Sequence, residues 1–210
     1  MSPNCTIVIK KKLNNKQIRS WTKERNKKKY KNKIDILSKS ELCSMYKQFV
    51  KTIRRQYNSE IKRQAYIGRI PNFPEVISEN IVLYALRHLG VDCTWNCSGD
   101  IEVTNKNKQI KGEVKCHVNG PTQFSPITKE KEGDTLYYLE AENHLYTGYF
   151  KLYEMKNYIE DLKRVRINKK SSLKEQQDSG RRPRFTLKSV WGEKLKNKLI
   201  WEGTIYDLIK

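Results

Sequence analysis

Three side chains in the middle of this chain could do chemistry together: Asp100, Glu113 and Lys115. Twelve positions lie between Asp100 and Glu113, and one between Glu113 and Lys115. Successive side chains on a strand point to opposite faces, so Glu113 and Lys115 share a face. The intervening stretch 104–109, Thr-Asn-Lys-Asn-Lys-Gln, is polar and turn-like. A hairpin there would lay Asp100 beside the other two. Two carboxylates and an ammonium would then meet at one point. Carboxylates of this kind hold hard cations such as Mg2+, which lower the pKa of bound water and suit it to attack on a phosphodiester. The lysine would orient that water and stabilise developing charge. In a lysine-rich chain the same residues also suit a cross-strand salt bridge on a solvated hairpin.

Glu79 adds a fourth group. Residues 74–90 open on Pro74, close on Gly90 and are densely apolar between, which marks a helix. Glu79 falls on the face of Val82, Leu83 and Leu86, where a carboxylate is costly to bury unless it is paired or metal-bound. The alternative is an acid near the helix start, favoured by the macrodipole.

With these residues the chain resembles the PD-(D/E)xK nuclease superfamily and, within it, the small type II restriction endonucleases. Asp100 matches the motif aspartate, Glu113 and Lys115 the E-x-K, and Glu79 the acid that the superfamily often carries on the helix before its core sheet. Gly99 stands where the name-giving proline would be. Residues 120–126, 136–141 and 180–185 resemble segments of a group of these enzymes that cuts short GC-containing sites. The resemblance covers residues 70–205 and leaves the N-terminal third outside it. It implies an α/β (α+β) restriction-endonuclease-like fold, a mixed central β-sheet flanked by helices. It also implies a Mg2+-dependent type II restriction endonuclease acting on double-stranded DNA as a homodimer and leaving 5′-phosphate and 3′-hydroxyl ends. Asp100 and Glu113 would hold the metal, Lys115 would position the water, and Glu79 would be a further ligand. A junction-resolving or repair nuclease of the same superfamily is the nearest rival. A non-catalytic basic nucleic-acid-binding protein is the rival from another class.

Charge points the same way from different residues. Lys and Arg number 43 against 23 Asp and Glu, a formal net charge of +20 on 210 residues, and a polyanion is the natural partner. Residues 1–70 carry 20 basic and 4 acidic side chains, 71–155 carry 8 and 12, and 156–210 carry 15 and 7. An acidic centre between basic flanks suits a metal-dependent enzyme on DNA, because Lys and Arg on phosphates supply sequence-independent affinity. High Lys and Asn usage also follows from an AT-rich genome.

The elements that must carry these residues can be sketched. A hydrophobic share of 37% in a chain of this length suits one compact domain with a helical extension. Residues 1–35 read as a basic arm with Trp21 and Tyr30, ordering on DNA. Ser38 and Glu41 form a capping-box pattern, and Leu42, Met45, Tyr46, Phe49, Val50, Ile53 and Tyr57 recur at helical spacing. That stripe packs on the core or, alternatively, makes a dimer contact. Residues 1–70 are thus expected to form a DNA-binding and dimerising extension, and 71–210 the catalytic domain. Strands are expected at 135–140 and 148–153, a short helix at 156–166, and a basic surface loop over 169–184. Arg181, Arg182 and Arg184 in that loop, with Asn119 and Gln123 beside the site, are the candidate DNA contacts: Arg suits guanine, Gln and Asn suit adenine, and all suit phosphate.

Other chemistries are disfavoured. Cys5, Cys43, Cys93, Cys97 and Cys116 form no regular disulfide framework, which fits a reducing compartment. Cys93, Cys97, Cys116 and His117 lack the usual zinc spacing. His88, His117 and His144 form no histidine-based nuclease motif, and His117 shares the strand face of Glu113 and Lys115. No stretch approaches the ~20 apolar residues of a membrane span, and an apolar leader is lacking, so the expected location is intracellular, in the cytoplasm.

Overall fold

The fold is organised around its longest strand, Lys108–His117, here β3, because that strand carries the candidate chemistry and pairs on both sides. The structure, a computed structural model, describes residues 36–62, 72–96, 100–105, 108–118, 122–123, 135–141 and 144–210. The basic arm expected over residues 1–35 lies outside the described residues.

Six strands form one mixed sheet. In spatial order they are β1 (Cys93–Trp95), β2 (Ile101–Asn105), β3, β5 (Thr135–Glu140), β6 (Tyr149–Lys156) and β8 (Leu199–Thr204). β3 and β5 run parallel, and every other pairing is antiparallel. The expected mixed central sheet flanked by helices is what forms. The polar stretch read as a turn is mostly ladder: Thr104 pairs with Gln109 and Asn105 with Lys108, leaving only residues 106–107 to connect β2 and β3.

Alternation along the strands divides the core in two. Tyr137 and Leu139 of β5, Val114 of β3, and Phe150 and Leu152 of β6 face one layer. Leu136 and Tyr138 of β5 with Tyr153 and Met155 of β6 face the other. The first layer is covered by α1 (Lys39–Lys62), α2 (Glu75–His88) and α7 (Ile205–Ile209). α1 begins with the expected capping box, in which the Ser38 amide donates to Glu41 Oε2 at 2.8 Å and the Glu41 amide to Ser38 Oγ at 3.3 Å. Its stripe buries Leu42, Tyr46 and Ile53 and packs Met45, Phe49 and Val50 partly against the core. The stripe therefore packs within the chain, as expected of a core-facing helix. The Tyr57 side chain falls outside the described residues. On α2, Ile77, Ile81, Val82, Leu83, Ala85 and Leu86 are buried, and Gly90 beyond its end has φ 77°, the left-handed conformation that glycine takes cheaply.

The second layer is built by the C-terminal third: α4 (Tyr158–Arg164), α5 (Leu173–Asp178), β7 (Arg184–Phe185), α6 (Leu187–Trp191) and a 3₁₀ helix, Gly192–Lys198. Phe185, Leu187 and Trp191 close over Tyr138, Tyr153 and Met155. The loop expected over residues 169–184 is a correction. Ser172 caps α5 reciprocally with Glu175 (Glu175 amide to Ser172 Oγ, 3.1 Å; Ser172 amide to Glu175 Oε2, 2.6 Å), and Leu173 and Gln177 are buried. A one-and-a-half-turn helix is too short for its periodicity to be read, so only the cap marks it. A separate two-stranded ribbon pairs β7 with β4 (Thr122–Gln123). The remaining short helix, α3 (His144–Thr147), joins β5 to β6.

Candidate active site

Glu113 and Lys115 occupy the same face of β3, as the strand period requires, and the Lys115 ammonium pairs with Glu113 Oε1. What fixes that face is the opposite one. Val114 is 6% exposed against the first layer, and Gly112 lies under the Tyr137 ring, where an added Cβ would come within 2.6 Å of Tyr137 Cε2. Glu113, Lys115 and His117 are thereby turned to the side where β5 presents their partners Leu136, Tyr138 and Glu140. The His117 ring lies 6.1 Å from that of Tyr138.

Asp100 reaches this strand from the start of β2. Its φ is 50°, in the left-handed region that costs most residues free energy but which Asp tolerates, and Ile101 next to it pairs with Gly112. The bent backbone lets Asp100 Oδ2 accept from the Val114 amide at 2.8 Å. Asp100 is thus anchored beside Glu113. Burial raises its pKa, and the Glu113 carboxylate raises it further; the Val114 hydrogen bond and the Lys115 charge work against both. Residues 97–99, including Gly99, lie outside the described residues.

Glu79 comes to the same place from α2. Its Oε2 accepts from Trp95 Nε1 at 2.7 Å, and its pKa is pushed up to about 7 by burial, with the Asp100 charge adding to the rise and the Trp95 bond and Lys115 charge lowering it. The charges of Asp100 and Lys115 thus reach Glu79, and those of Glu113 and Lys115 reach Asp100. Trp95 was not among the residues the sequence suggested. The available signal was its place one strand over from Ile101, its register partner, beside the aspartate.

Among the described residues no three His, Cys, Asp or Glu side chains converge into a ready-made metal cage. The donor set fits a hard cation all the same. Asp100 and Glu113 are neighbouring, half-buried carboxylates, the Glu113 charge helps to raise the pKa of Asp100, and a divalent ion would relieve that repulsion. Mg2+ is commonly bound by one or two carboxylates with its remaining positions filled by water and phosphate.

The candidate DNA contacts are dispersed. Arg184 is exposed and pairs through its backbone with Gln123 across the β4–β7 ribbon, while Arg181 and Arg182 are exposed just before it. No hydrogen bond or ion pair joins these arginines to the carboxylates. Asn119 and the Gln123 side chain lie outside the described residues.

A mixed sheet with helices on both faces, a bent aspartate and an E-x-K on the adjoining strand define the restriction-endonuclease-like class. Within it, residues 34–191 match the Bsp6I restriction endonuclease family, and the chain belongs to that family. The chain is also 31% identical over 120 residues to the type II restriction enzyme Bsp6I of Bacillus sp. (strain RFL6). That alignment covers 55% of this chain and spans 63% of the relative's length. No solved structure matches the chain. No helix among the described residues is long and apolar enough to cross a membrane.

Proposed function

We propose that this protein is a Mg2+-dependent type II restriction endonuclease that hydrolyses phosphodiester bonds of double-stranded DNA at a short specific sequence. The observation that supports the reading is Asp100 anchored to the Val114 amide of β3 between Glu113 and Lys115, which pair on that strand, in a chain of the Bsp6I family.

Asp100 and Glu113 would hold the cation, with Glu79 able to contribute once ionised. When bound, Mg2+ supplies Lewis acidity toward the phosphoryl oxygens and lowers the pKa of a coordinated water. Lys115 sits on the same strand face and donates toward the attacking water and the charge that builds on phosphorus. Trp95 holds the Glu79 carboxylate in place, and the Val114 amide holds that of Asp100. The products carry 5′-phosphate and 3′-hydroxyl ends. Cutting both strands of a palindromic duplex with one site per chain calls for a homodimer. Base reading falls to the β4–β7 ribbon, because a two-stranded ribbon fits the major groove and Arg184 and Gln123 are cross-strand partners on it. Arg181 and Arg182, just before β7 in the chain, and Asn119 are further contacts to bases or phosphates. The basic residues 1–70 add sequence-independent affinity.

The test is digestion of phage and plasmid DNA in Mg2+ and in EDTA, with Glu113→Ala alongside the native chain. Discrete fragments that vanish in both controls are expected, and their ends give the recognition sequence. Salt-sensitive binding without any cleavage would reject the enzyme in favour of a non-catalytic binding protein. Cleavage that follows DNA shape and ignores sequence would reject restriction in favour of junction resolution or repair.

A further inference from the structure

A cleft of about 400 Å³ opens between α1, the short helix α3 and Tyr206 of α7. None of Glu79, Asp100, Glu113 or Lys115 lines it. Four cations do: Lys47, Lys51, Arg54 and Arg55, with no acidic side chain among the described lining residues. On α1 these residues fall at i, i+4, i+7 and i+8, so they form one stripe, and like charges four apart repel across a helix surface. Two of the four are engaged within the fold: Arg54 donates to the Leu145 carbonyl, and Lys47 lies 5.6 Å from the centre of the Tyr206 ring. Lys51 and Arg55 are exposed and form no ion pair with a described residue.

The cleft's wall holds a second unsatisfied feature. His144 lines the cleft at 2% exposure, and neither of its buried ring nitrogens has a hydrogen-bond partner among the described residues. Four aromatic rings, from Tyr46, Phe49, Phe73 and Phe150, pack around it. A buried polar group without a partner is costly, and a repulsive cationic stripe beside it adds to that cost. A ligand with negative charge relieves the repulsion along the stripe.

We propose that this cleft seats a phosphodiester group of the DNA backbone away from the scissile bond, with Lys51 and Arg55 neutralising it at the rim. The proposal rests on the reading of DNA as the partner. It differs from the ribbon in kind, since a backbone phosphate carries no sequence information and contributes affinity and register alone.

The experiment measures duplex binding by the full chain in EDTA, where nothing is cut, across a salt series. Lys51→Glu with Arg55→Glu is compared with the native chain and with a control of equal charge change, Lys194→Glu with Lys196→Glu on the 3₁₀ helix. Each lost phosphate contact lowers the slope of log K against log salt by about 0.9. The expected result for the cleft variant is a slope smaller by about 1–2, a low-salt affinity about tenfold or more weaker, and an unchanged sequence preference. An unchanged slope, or an equal loss in the control, would overturn the proposal. Inorganic phosphate that raises the native melting temperature while the variant keeps the native DNA slope would also overturn it, since the cleft would then take a small free anion. Should the charge reversals unfold the chain, Lys51→Gln with Arg55→Gln serves the same comparison. The two readings fail separately. A cleft-dependent slope in a chain that never cuts DNA in Mg2+ sinks the nuclease and leaves the cleft. A chain that cuts DNA while its cleft variant keeps the native slope does the reverse.

Discussion

Glu79→Gln should make the protein more stable at neutral pH and leave it unchanged in mild acid. Glu79 is a half-buried carboxyl whose folded pKa is about 7 against an ordinary 4.5, with burial as the leading cause. A carboxyl raised in the folded state stabilises below its unfolded pKa, and that contribution is lost as pH climbs through the folded value. The window is therefore about pH 4.5 to 7. At 1.36 kcal/mol per pH unit, holding the anion in the folded state costs about 3 kcal/mol, which water reaching the half-buried group reduces to about 1–2 kcal/mol. Glutamine keeps the acceptor for Trp95 Nε1 and carries no charge. The assay is thermal unfolding in EDTA from pH 4.5 to 8 for both proteins. The melting temperatures should coincide near pH 4.5 and separate as pH rises, with the native chain about 3–6 °C lower at pH 8. Mg2+ should narrow the gap by giving the anion a cation, so the native chain gains more from the metal than the variant does. Parallel curves across the whole range would refute the argument, because they would mean Glu79 is ionised in both states at ordinary carboxylate pH.

Trp95→Phe removes the donor that steadies the Glu79 anion, so the pH at which the native chain loses stability should move above 7, read from the same unfolding series. Asp100→Asn and Glu113→Ala should each reduce single-turnover cleavage by about 10²-fold or more while sparing duplex binding in EDTA. Gly112→Ala drives a methyl into the buried Tyr137 ring and should cost about 1–3 kcal/mol, seen as a melting temperature lower by about 3–10 °C and partly restored by Tyr137→Leu. Arg184→Ala should weaken discrimination among related DNA sites by about 1–3 kcal/mol if it reads a base, whereas uniform weakening with a shallower salt slope would assign it to phosphate. Ser172→Ala should destabilise the chain by about 1 kcal/mol through loss of the α5 cap, measured by denaturant unfolding.

The parts of the fold legible in the sequence are those with a strong period or a strong terminus. α2 announces itself by Pro74, Gly90 and dense apolar content, α1 by Ser38 with Glu41, and β5 and β6 by aromatic and branched runs. The geometry of the candidate site was legible for the same reason: an E-x-K spacing and a polar hairpin are statements about strand geometry, and the strand ladder obeys them. The C-terminal third was not. β7 is two residues long, α5 six and α6 five, too short for any periodicity to accumulate. They hold together through Phe185, Leu187 and Trp191 clustering with side chains of β5 and β6, far earlier in the chain, which no local pattern reveals. Trp95 was missed on similar grounds, since a three-residue edge strand gives no hint that its indole meets a helix carboxylate sixteen positions back.

β3 makes the site a property of backbone register more than of side-chain choice. One edge of the strand pairs antiparallel with β2 and the other parallel with β5, and Asp100 is tied to it through the Val114 amide. The Asp100 and Glu113 carboxylates are therefore spaced by main-chain hydrogen bonds, which hold geometry better than rotamers do. A one-residue slip of β3 would carry Val114 onto the site face and drive Glu113 toward Ile77 and Ile81, burying a charge in an apolar layer at a cost of several kcal/mol. Gly112 guards against that slip, because only glycine fits beneath Tyr137, and every other register would push a side chain into that ring. The apolar packing on one side of β3 thus selects the arrangement of carboxylates and lysine on the other.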